Sequence, residues 1–145
     1  AVAKDQSLYV SDYGNHRVLR LDRDWQTVST ILGDWSASSA GDGSPSRNFP
    51  VREPYGLAFD AYGNLYVASY DTVRQVTPGP ERAFADGDGA VITIYGAPPR
   101  DRFPQSVTRC LTGIEVAPAS QTHSQKVWVV DNCQGFMLEL VRTTE

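Results

Sequence analysis

The sequence predicts an all-β fold, built as an incomplete β-propeller with about three blades of four antiparallel strands. A short apolar segment with a polar turn behind it occurs three times, at 8–12, 65–69 and 127–131. Apolar residues at helical spacing are nearly absent. Clusters of Gly, Pro, Asp and Asn instead separate short runs of β-forming residues. Because self-similar segments are typical of repeat architectures, and a radial array of four-stranded meanders is a propeller, the repeat predicts the fold class.

The middle repeat, 54–96, predicts one complete blade. Its four strands are expected at 56–60, 65–68, 73–76 and 90–96. Gly63 and Asn64 lie between the first two strands, and both residue types tolerate the positive φ of a tight hairpin. The apolar runs are nearly continuous rather than alternating, which favours a sheet that is packed on both faces.

Each outer repeat is predicted to hold three strands. The first repeat, 7–33, lacks a first strand, and its other strands are expected at 8–11, 18–21 and 27–32. The last repeat, 111–142, lacks a fourth strand, and its first three are expected at 113–116, 127–130 and 136–140. The 145 residues therefore predict a single partial propeller over 1–145, with both ends inside a blade.

Residues 8–18, which read Leu-Tyr-Val-Ser-Asp-Tyr-Gly-Asn-His-Arg-Val, resemble the NHL repeat family, with its Asn-His motif intact at Asn15 and His16. Three further segments resemble the link between NHL blades: 31–33, 41–45 and 54–60. The resemblance covers nearly the whole chain and weakens towards its end. The second repeat departs from the family pattern, because its turn, 69–72, is two residues shorter than the equivalent turn of the first repeat, 12–17. The third repeat keeps Asp131 but differs from the family pattern in the residues that follow it.

The resemblance implies a ring of about six blades, of which this chain supplies about half. Half a ring exposes two blade faces and two sheet edges, which favours association. We therefore expect that the chain is not a free monomer. Either another chain or a missing segment holds the remaining blades, or a second copy of the chain completes the ring. The chain also lacks an initiator Met, so we expect it to be processed or cut from a longer protein.

The bulk composition argues against two classes of partner. The net charge is −4, whereas nucleic-acid binding needs a basic surface, so nucleic acid is not expected as the main partner. Membrane insertion is not expected either, because no apolar run approaches the roughly 20 residues of a membrane helix.

The two cysteines, Cys110 and Cys133, precede the first strand and follow the second strand of the third repeat. In an up-and-down meander these positions lie at the same end of the blade, so the sequence predicts a disulfide. Closing this loop would stabilise the fold by roughly 3 kcal/mol. A disulfide favours a secreted or lumenal protein over a cytoplasmic one. The alternative is two unrelated buried thiols in a cytosolic protein.

Asp12 and Asp131 occupy equivalent positions at the end of a second strand. Their carboxylates either bind a cation or partner at one mouth of the channel, or accept backbone N–H bonds in the following turn. Their recurrence favours the turn, because a site normally breaks the symmetry of a repeat. His16 is likewise either a metal ligand or base, or a residue that packs or bonds within its turn. With His123 as the only other histidine, a three-His zinc site cannot be built.

Aromatic residues fall near the predicted turns, where they either form a binding face or pack between blades. They are Tyr13, Trp25, Trp35, Tyr55, Tyr62 and Tyr70. The candidate residues of a binding face are Asp12, Tyr13, His16, Arg17, Tyr70 and Asp131. Five arginines on two long connecting segments either contact an anionic partner or are solvated: Arg47, Arg52, Arg100, Arg102 and Arg109.

The sequence predicts a non-catalytic NHL-type scaffold that binds a protein or a ligand through its loop faces, since no complete catalytic set is evident. The alternative is part of a metal-dependent propeller enzyme, similar to peptide-amidating lyases or lactonases, with its site in the central channel. No cofactor is predicted, and calcium or zinc belongs to that alternative. The segments 42–43 and 86–89 resemble calcium loops but lack the closing Glu, so both are interpreted as turns.

Overall fold

The computed structural model describes residues 1–37, 45–79, 84, 89–96, 110–117 and 125–142. Within these ranges the chain is all-β, as predicted, with ten strands in three antiparallel sheets and two short 3-10 turns. The three sheets of the described residues do not close into a ring. No helix in this part of the chain has the length and apolar character of a membrane span.

Every sheet is a meander in which strands that follow one another in the chain are hydrogen-bonded neighbours. The first sheet contains β1 (Leu8–Asp12), β2 (Arg17–Leu21) and β3 (Val28–Leu32). The middle sheet contains β4 (Gly56–Phe59), β5 (Leu65–Ala68), β6 (Thr72–Thr77) and β7 (Ala90–Gly96). The third sheet contains β8 (Leu111–Val116), β9 (Gln125–Asp131) and β10 (Phe136–Arg142). All ten strands lie where the sequence predicted them, with boundaries that differ by at most two residues.

The chain's first residues occupy the place that β4 has in the middle sheet. The Ala1 amino group donates to the Tyr9 carbonyl at 2.9 Å, and the Tyr9 N–H donates back to the Ala1 carbonyl at 2.8 Å. Val2 forms an antiparallel bridge with Leu8. In the middle sheet Ala58 pairs with Tyr66 in the same register. The first repeat, expected to lack its first strand, therefore begins with the last residues of one.

The middle sheet is buried on both faces, as its nearly continuous apolar runs predicted. All four residues of β5 are buried. Leu65 and Val67 belong to one apolar cluster, which they share with Tyr9 of the first sheet. Tyr66 and Ala68 belong to a second cluster, which includes β8 and β9 of the third sheet. Since alternate side chains of a strand point to opposite faces, β5 lies between the two outer sheets.

The middle and third sheets approach most closely at their first strands. A Cβ atom on Gly56 in β4 would lie 2.6 Å from the Thr112 carbonyl oxygen and 2.9 Å from the Ile114 side chain in β8. Only a residue without a side chain allows this approach. The start of β4 therefore lies against the start of β8.

Candidate binding surface

The turn between β1 and β2 is held by the Asp12 carboxylate. Arg17 Nε donates to Asp12 Oδ2 at 2.6 Å, and Asn15 Nδ2 donates to Asp12 Oδ1 at 2.8 Å. The Arg17 bond is the main reason that the pKa of Asp12 lies below its ordinary value, and the Asn15 bond acts in the same direction. These two side-chain bonds fix the Arg17 guanidinium at the end of the first sheet.

His16 closes the same turn in the left-handed conformation, with φ at 54°. Its Nδ1 accepts a hydrogen bond from the Glu53 backbone N–H at 3.2 Å. Gly33 packs so closely behind this turn that a Cβ atom there would lie 2.4 Å from the His16 carbonyl oxygen. His16 thus bonds outside its own turn, to the segment that leads from the first repeat into the second.

That segment, 52–55, is called the connector below, and it joins the ends of the first and middle sheets. Ser11 Oγ donates to the Tyr55 carbonyl at 2.8 Å, and the Tyr55 N–H donates to the Ala68 carbonyl at 2.9 Å. The Tyr70 N–H donates to the Arg52 carbonyl at 3.0 Å. Because both sheets bond to the connector, its side chains hold set positions between the two turns.

Three ring contacts follow the connector across this end of the molecule. The rings of Tyr13 and Tyr55 lie 4.7 Å apart between centroids. The Arg17 guanidinium lies 3.9 Å from the Trp35 ring centroid, and the Arg52 guanidinium lies 4.1 Å from the Tyr70 ring centroid. Trp35 is 60% exposed, Tyr13 43% and Tyr55 41%. The aromatic–arginine surface is defined by six residues: Tyr13, Arg17, Trp35, Arg52, Tyr55 and Tyr70.

Tyr13 is neutral at this surface at physiological pH. Its hydrogen bond with Tyr55, followed by desolvation and by the Glu53 charge, raises the pKa of the Tyr13 phenol to about 12. The surface therefore carries two guanidinium groups and a phenol that keeps its proton, with the Glu53 carboxylate beside them.

Asp131 has a different role from Asp12, although the two are equivalent in the repeat. It is 1% exposed, and its Oδ1 accepts the backbone N–H groups of Cys110, Cys133 and Gln134, each at 3.2 Å. This is the turn interpretation of the sequence analysis. For Asp12 that interpretation is wrong in detail, because its partners are the side chains of Asn15 and Arg17. Asn15 in the turn after Asp12 and Arg17 at the start of β2 place side-chain donors within reach of the Asp12 carboxylate, whereas the turn after Asp131 offers backbone donors.

The predicted closeness of the two cysteines is confirmed. Cys110 and Cys133 lie at disulfide distance, with their Cα atoms 5.2 Å apart. The Asp131 carboxylate bonds the backbone N–H of both residues, which brings the start of β8 to the turn after β9.

The structure brings the predicted binding-face residues to one end of the sheets. Tyr13, His16 and Tyr70 contact the connector directly, whereas Asp12 bonds Arg17, whose guanidinium lies on Trp35. Asp131 lies at the same end but is buried in its turn. Trp25 and Tyr62 lie at the opposite end, in the turns after β2 and β4.

The sequence analysis did not single out Glu53. The feature that could have identified it is its position in the segment between two repeats. Several residues named in the sequence analysis lie outside the described residues: Arg100, Arg102, Arg109, His123, 42–43 and 86–88, as does the Arg47 side chain.

A second concave region, of about 250 Å³, lies at the opposite end of the first and middle sheets. Its floor is formed by the rings of Tyr9, Phe59 and Phe84. The polar groups on its rim are used within the fold, since Lys4 Nζ donates to the Ala61 carbonyl and Asp60 accepts two backbone N–H bonds in its own turn. The aromatic–arginine surface is the stronger candidate, because its rings and charges are presented to solvent.

Across the described ranges, no group of three or more His, Cys, Asp or Glu side chains is placed to hold a metal ion. A comparison of the chain with protein-family models finds no match. A comparison with curated protein sequences finds none either. The function of the surface therefore has to be argued from its own geometry and chemistry.

Proposed function

We propose that this protein is a non-catalytic propeller scaffold of the NHL type, which binds a protein segment through the aromatic–arginine surface. The observation that carries the proposal is a set of three ring contacts at one end of the sheets, Tyr13–Tyr55, Arg17–Trp35 and Arg52–Tyr70, in which Tyr13, Trp35 and Tyr55 are exposed. Tyr, Trp and Arg are the residues in which the binding energy of protein interfaces is concentrated.

Preorganisation supports a binding role over simple packing between sheets. Each guanidinium lies on a ring, and the Arg17 side chain is also bonded to Asp12. Side chains already held in one place lose less conformational entropy when a partner binds. Rings that served only to pack the sheets together would be covered, whereas Trp35 and the Tyr13–Tyr55 pair are among the exposed apolar residues.

The propeller assignment is supported by the order of the sheets. Each sheet is an antiparallel meander in chain order, and the middle sheet is covered on both faces by its neighbours. The closest approach of the middle and third sheets is at their first strands, β4 and β8. Sectors of a propeller share these three properties, since first strands line a common axis. The disulfide-distance cysteine pair supports a secreted or lumenal location.

The proposal is tested with a random peptide display library selected on the immobilised chain. Trp35→Ser and Tyr55→Ser are each expected to weaken binding of the selected peptides by at least about tenfold, because a truncated anchor residue removes a large share of interface energy. Tyr62→Ser is the matched control, since Tyr62 is an exposed aromatic residue at the opposite end. Peptides that bind both surface variants as well as the wild type would contradict the proposal.

Metal analysis of the purified chain separates this function from the enzyme alternative. Stoichiometric zinc or calcium, retained after dialysis, would favour a metal-dependent propeller enzyme over a scaffold.

A further inference from the structure

The three sheets follow one packing rule, which is visible in their equivalent second strands β1, β5 and β9. Leu65 and Val67 of β5 face the first sheet, and their equivalents Val127 and Val129 of β9 face the middle sheet. These positions form the leading face of a sheet, which contacts the sheet before it. The residues between them form the trailing face, which contacts the sheet after it.

The trailing face is aromatic in every repeat. Tyr9 of β1 lies in the cluster with Leu65 and Val67, and Tyr66 of β5 lies in the cluster with Val127 and Val129. Both sheet contacts within the described residues are therefore head to tail, with an aromatic trailing face against an aliphatic leading face. No contact in this part of the chain joins two faces of the same kind.

Within the part of the chain that the structure describes, no sheet packs on two of the faces, one on each outer sheet, and these two are called the open faces. The leading face of the first sheet carries Leu8 and Val10, which are paired across the strands with Leu21 and Leu19. Val28 continues this face on β3, paired with Leu21, and is 61% exposed. These aliphatic side chains face away from the apolar cluster that contains Tyr9 and Val18.

The trailing face of the third sheet is open as well. Trp128 of β9 is equivalent to Tyr66, and Val130 pairs with Met137 of β10 on the same face. Met137 is 65% exposed, and Val141, further along β10, is 52% exposed. Lys126 Nζ and Glu139 Oε1 form an ion pair at 2.9 Å beside Trp128. Glu115 of β8, which pairs with Trp128 across the strands, adds an exposed carboxylate to this face.

We infer that two copies of this chain bind head to tail, with the trailing face of the third sheet of one copy on the leading face of the first sheet of the other. Trp128 of one copy takes the place against Leu8 and Val10 that Tyr9 has against Leu65 and Val67. The two open faces thus belong to the two kinds that already pack together twice within the chain. A partner sheet that lacks this repeat would not place matching residues against either of the two faces.

The inference concerns the sheet faces and does not depend on binding at the aromatic–arginine surface. A head-to-tail contact is heterologous, so it closes into a ring if the rotation between copies permits, and it extends further if the rotation does not. In either case the smallest assembly contains two chains.

The test uses the mass of the full chain in solution, measured by light scattering behind size exclusion, with two variants on the open faces. Val10→Asp places a charge on the leading face, and Met137→Asp places one on the trailing face. We expect at least twice the mass of one chain for the wild type. Either variant alone should weaken association by at least about 100-fold, because it buries an unpaired carboxylate in the contact.

Mixing the two variants tests the head-to-tail geometry itself. The Val10→Asp chain keeps an intact trailing face and the Met137→Asp chain keeps an intact leading face, so an equimolar mixture should recover the mass of two chains. Circular dichroism of each variant checks that it is folded. Trp25→Asp is the matched control, because Trp25 is an exposed aromatic residue in the turn after β2, away from both open faces.

Three outcomes would overturn the inference. A wild-type monomer that unfolds cooperatively at high concentration would show that the open faces do not bind each other, and further repeats of a longer chain would then be their occupant. Variants that keep the wild-type mass would show that other residues form the contact. A mixture of folded variants that stays monomeric would show that an intact trailing face does not bind an intact leading face.

Discussion

At the residue scale, equivalent positions of the repeat carry different chemistry. Asp12 and Asp131 both end a second strand, yet the first bonds two side chains and the second bonds three backbone N–H groups. Ser69 stands at the third such position, where Ser69 Oγ and Thr72 Oγ1 lie 2.6 Å apart. Asp12 and Asp131 are each followed by four residues before the paired residue of the next strand, whereas Ser69 bonds Thr72 across a turn that is two residues shorter. The side chains that follow each strand therefore decide which turn can present a charged group to solvent. Among these three positions, only the Asp12 carboxylate bonds an arginine whose guanidinium lies on an exposed ring.

The Asp12–Arg17 pair gives a pH-dependent prediction. Because the pKa of Asp12 is lowered from 3.8 in the folded chain, the pair stabilises the fold above pH 3.8, and this stabilisation is lost as the pH falls through the folded-state value. Asp12→Asn should therefore lower the urea midpoint at about pH 7 and leave it nearly unchanged at about pH 2. The matched control is Asp24→Asn, in the exposed turn after β2. Equal loss at both pH values would show that the charge of Asp12 is not what stabilises the turn.

At the scale of elements, the connector and the first strands position the surface. The connector bonds the end of the first sheet through Ser11 and the end of the middle sheet through Ala68. The Leu111 N–H donates to the Tyr70 carbonyl at 3.3 Å, which ties β8 to the turn after β5. The connector therefore positions the ring contacts, while the close approach of β4 and β8 brings the third sheet to the same end.

Gly56 is the residue that permits this approach. Gly56→Ala should destabilise the fold by about 1–3 kcal/mol, because the new Cβ would meet the Thr112 carbonyl and the Ile114 side chain, and an overpacked contact forces the strands apart. The measurement is the free energy of unfolding in urea. Gly14→Ala is the matched control, since nothing lies within 4 Å of a Cβ atom there, and its effect should stay within about 0.5 kcal/mol. An equal effect of the two substitutions would contradict the close approach.

At the scale of the whole molecule, the middle sheet is the shared wall of two apolar clusters. Alternate residues of β5 contribute to each, with Leu65 and Val67 in one and Tyr66 and Ala68 in the other. Among the described residues, each outer sheet has its apolar cluster on the face that it shares with the middle sheet, so each depends on the middle sheet for this core. Loss of the middle sheet would remove both clusters at once.

The two clusters should therefore unfold in one transition. Leu65→Ala is expected to destabilise the chain by about 2–5 kcal/mol through the cavity that it leaves, and Val129→Ala, in the other cluster, should shift the same transition. Tryptophan fluorescence and far-UV circular dichroism, recorded on each variant during urea unfolding, should give coincident curves. Two separate transitions, one for each variant, would show that the sheets fold as independent units.

Much of the backbone was determined by the sequence alone. The period of apolar runs and the turn residues between them predicted all ten strands, and the position of two cysteines in a meander predicted that their sulfurs meet. These features depend on local spacing and on the order of strands, which a single chain displays directly. The recurrence of an Asp after a second strand also predicted the backbone bonds of Asp131.

Only the tertiary structure decided which side chains meet. In the connector, the Glu53 N–H donates to His16 and the Arg52 guanidinium lies on the Tyr70 ring, although these partners lie far apart in the chain. The pairing of Ala1 and Val2 with β1 likewise depends on the register of the whole sheet. The sequence pattern alone gives the order of sheets but not their separation. The contacts of the surface arise where the connector joins the ends of the first and middle sheets, and the packing of these two sheets sets the distance between those ends.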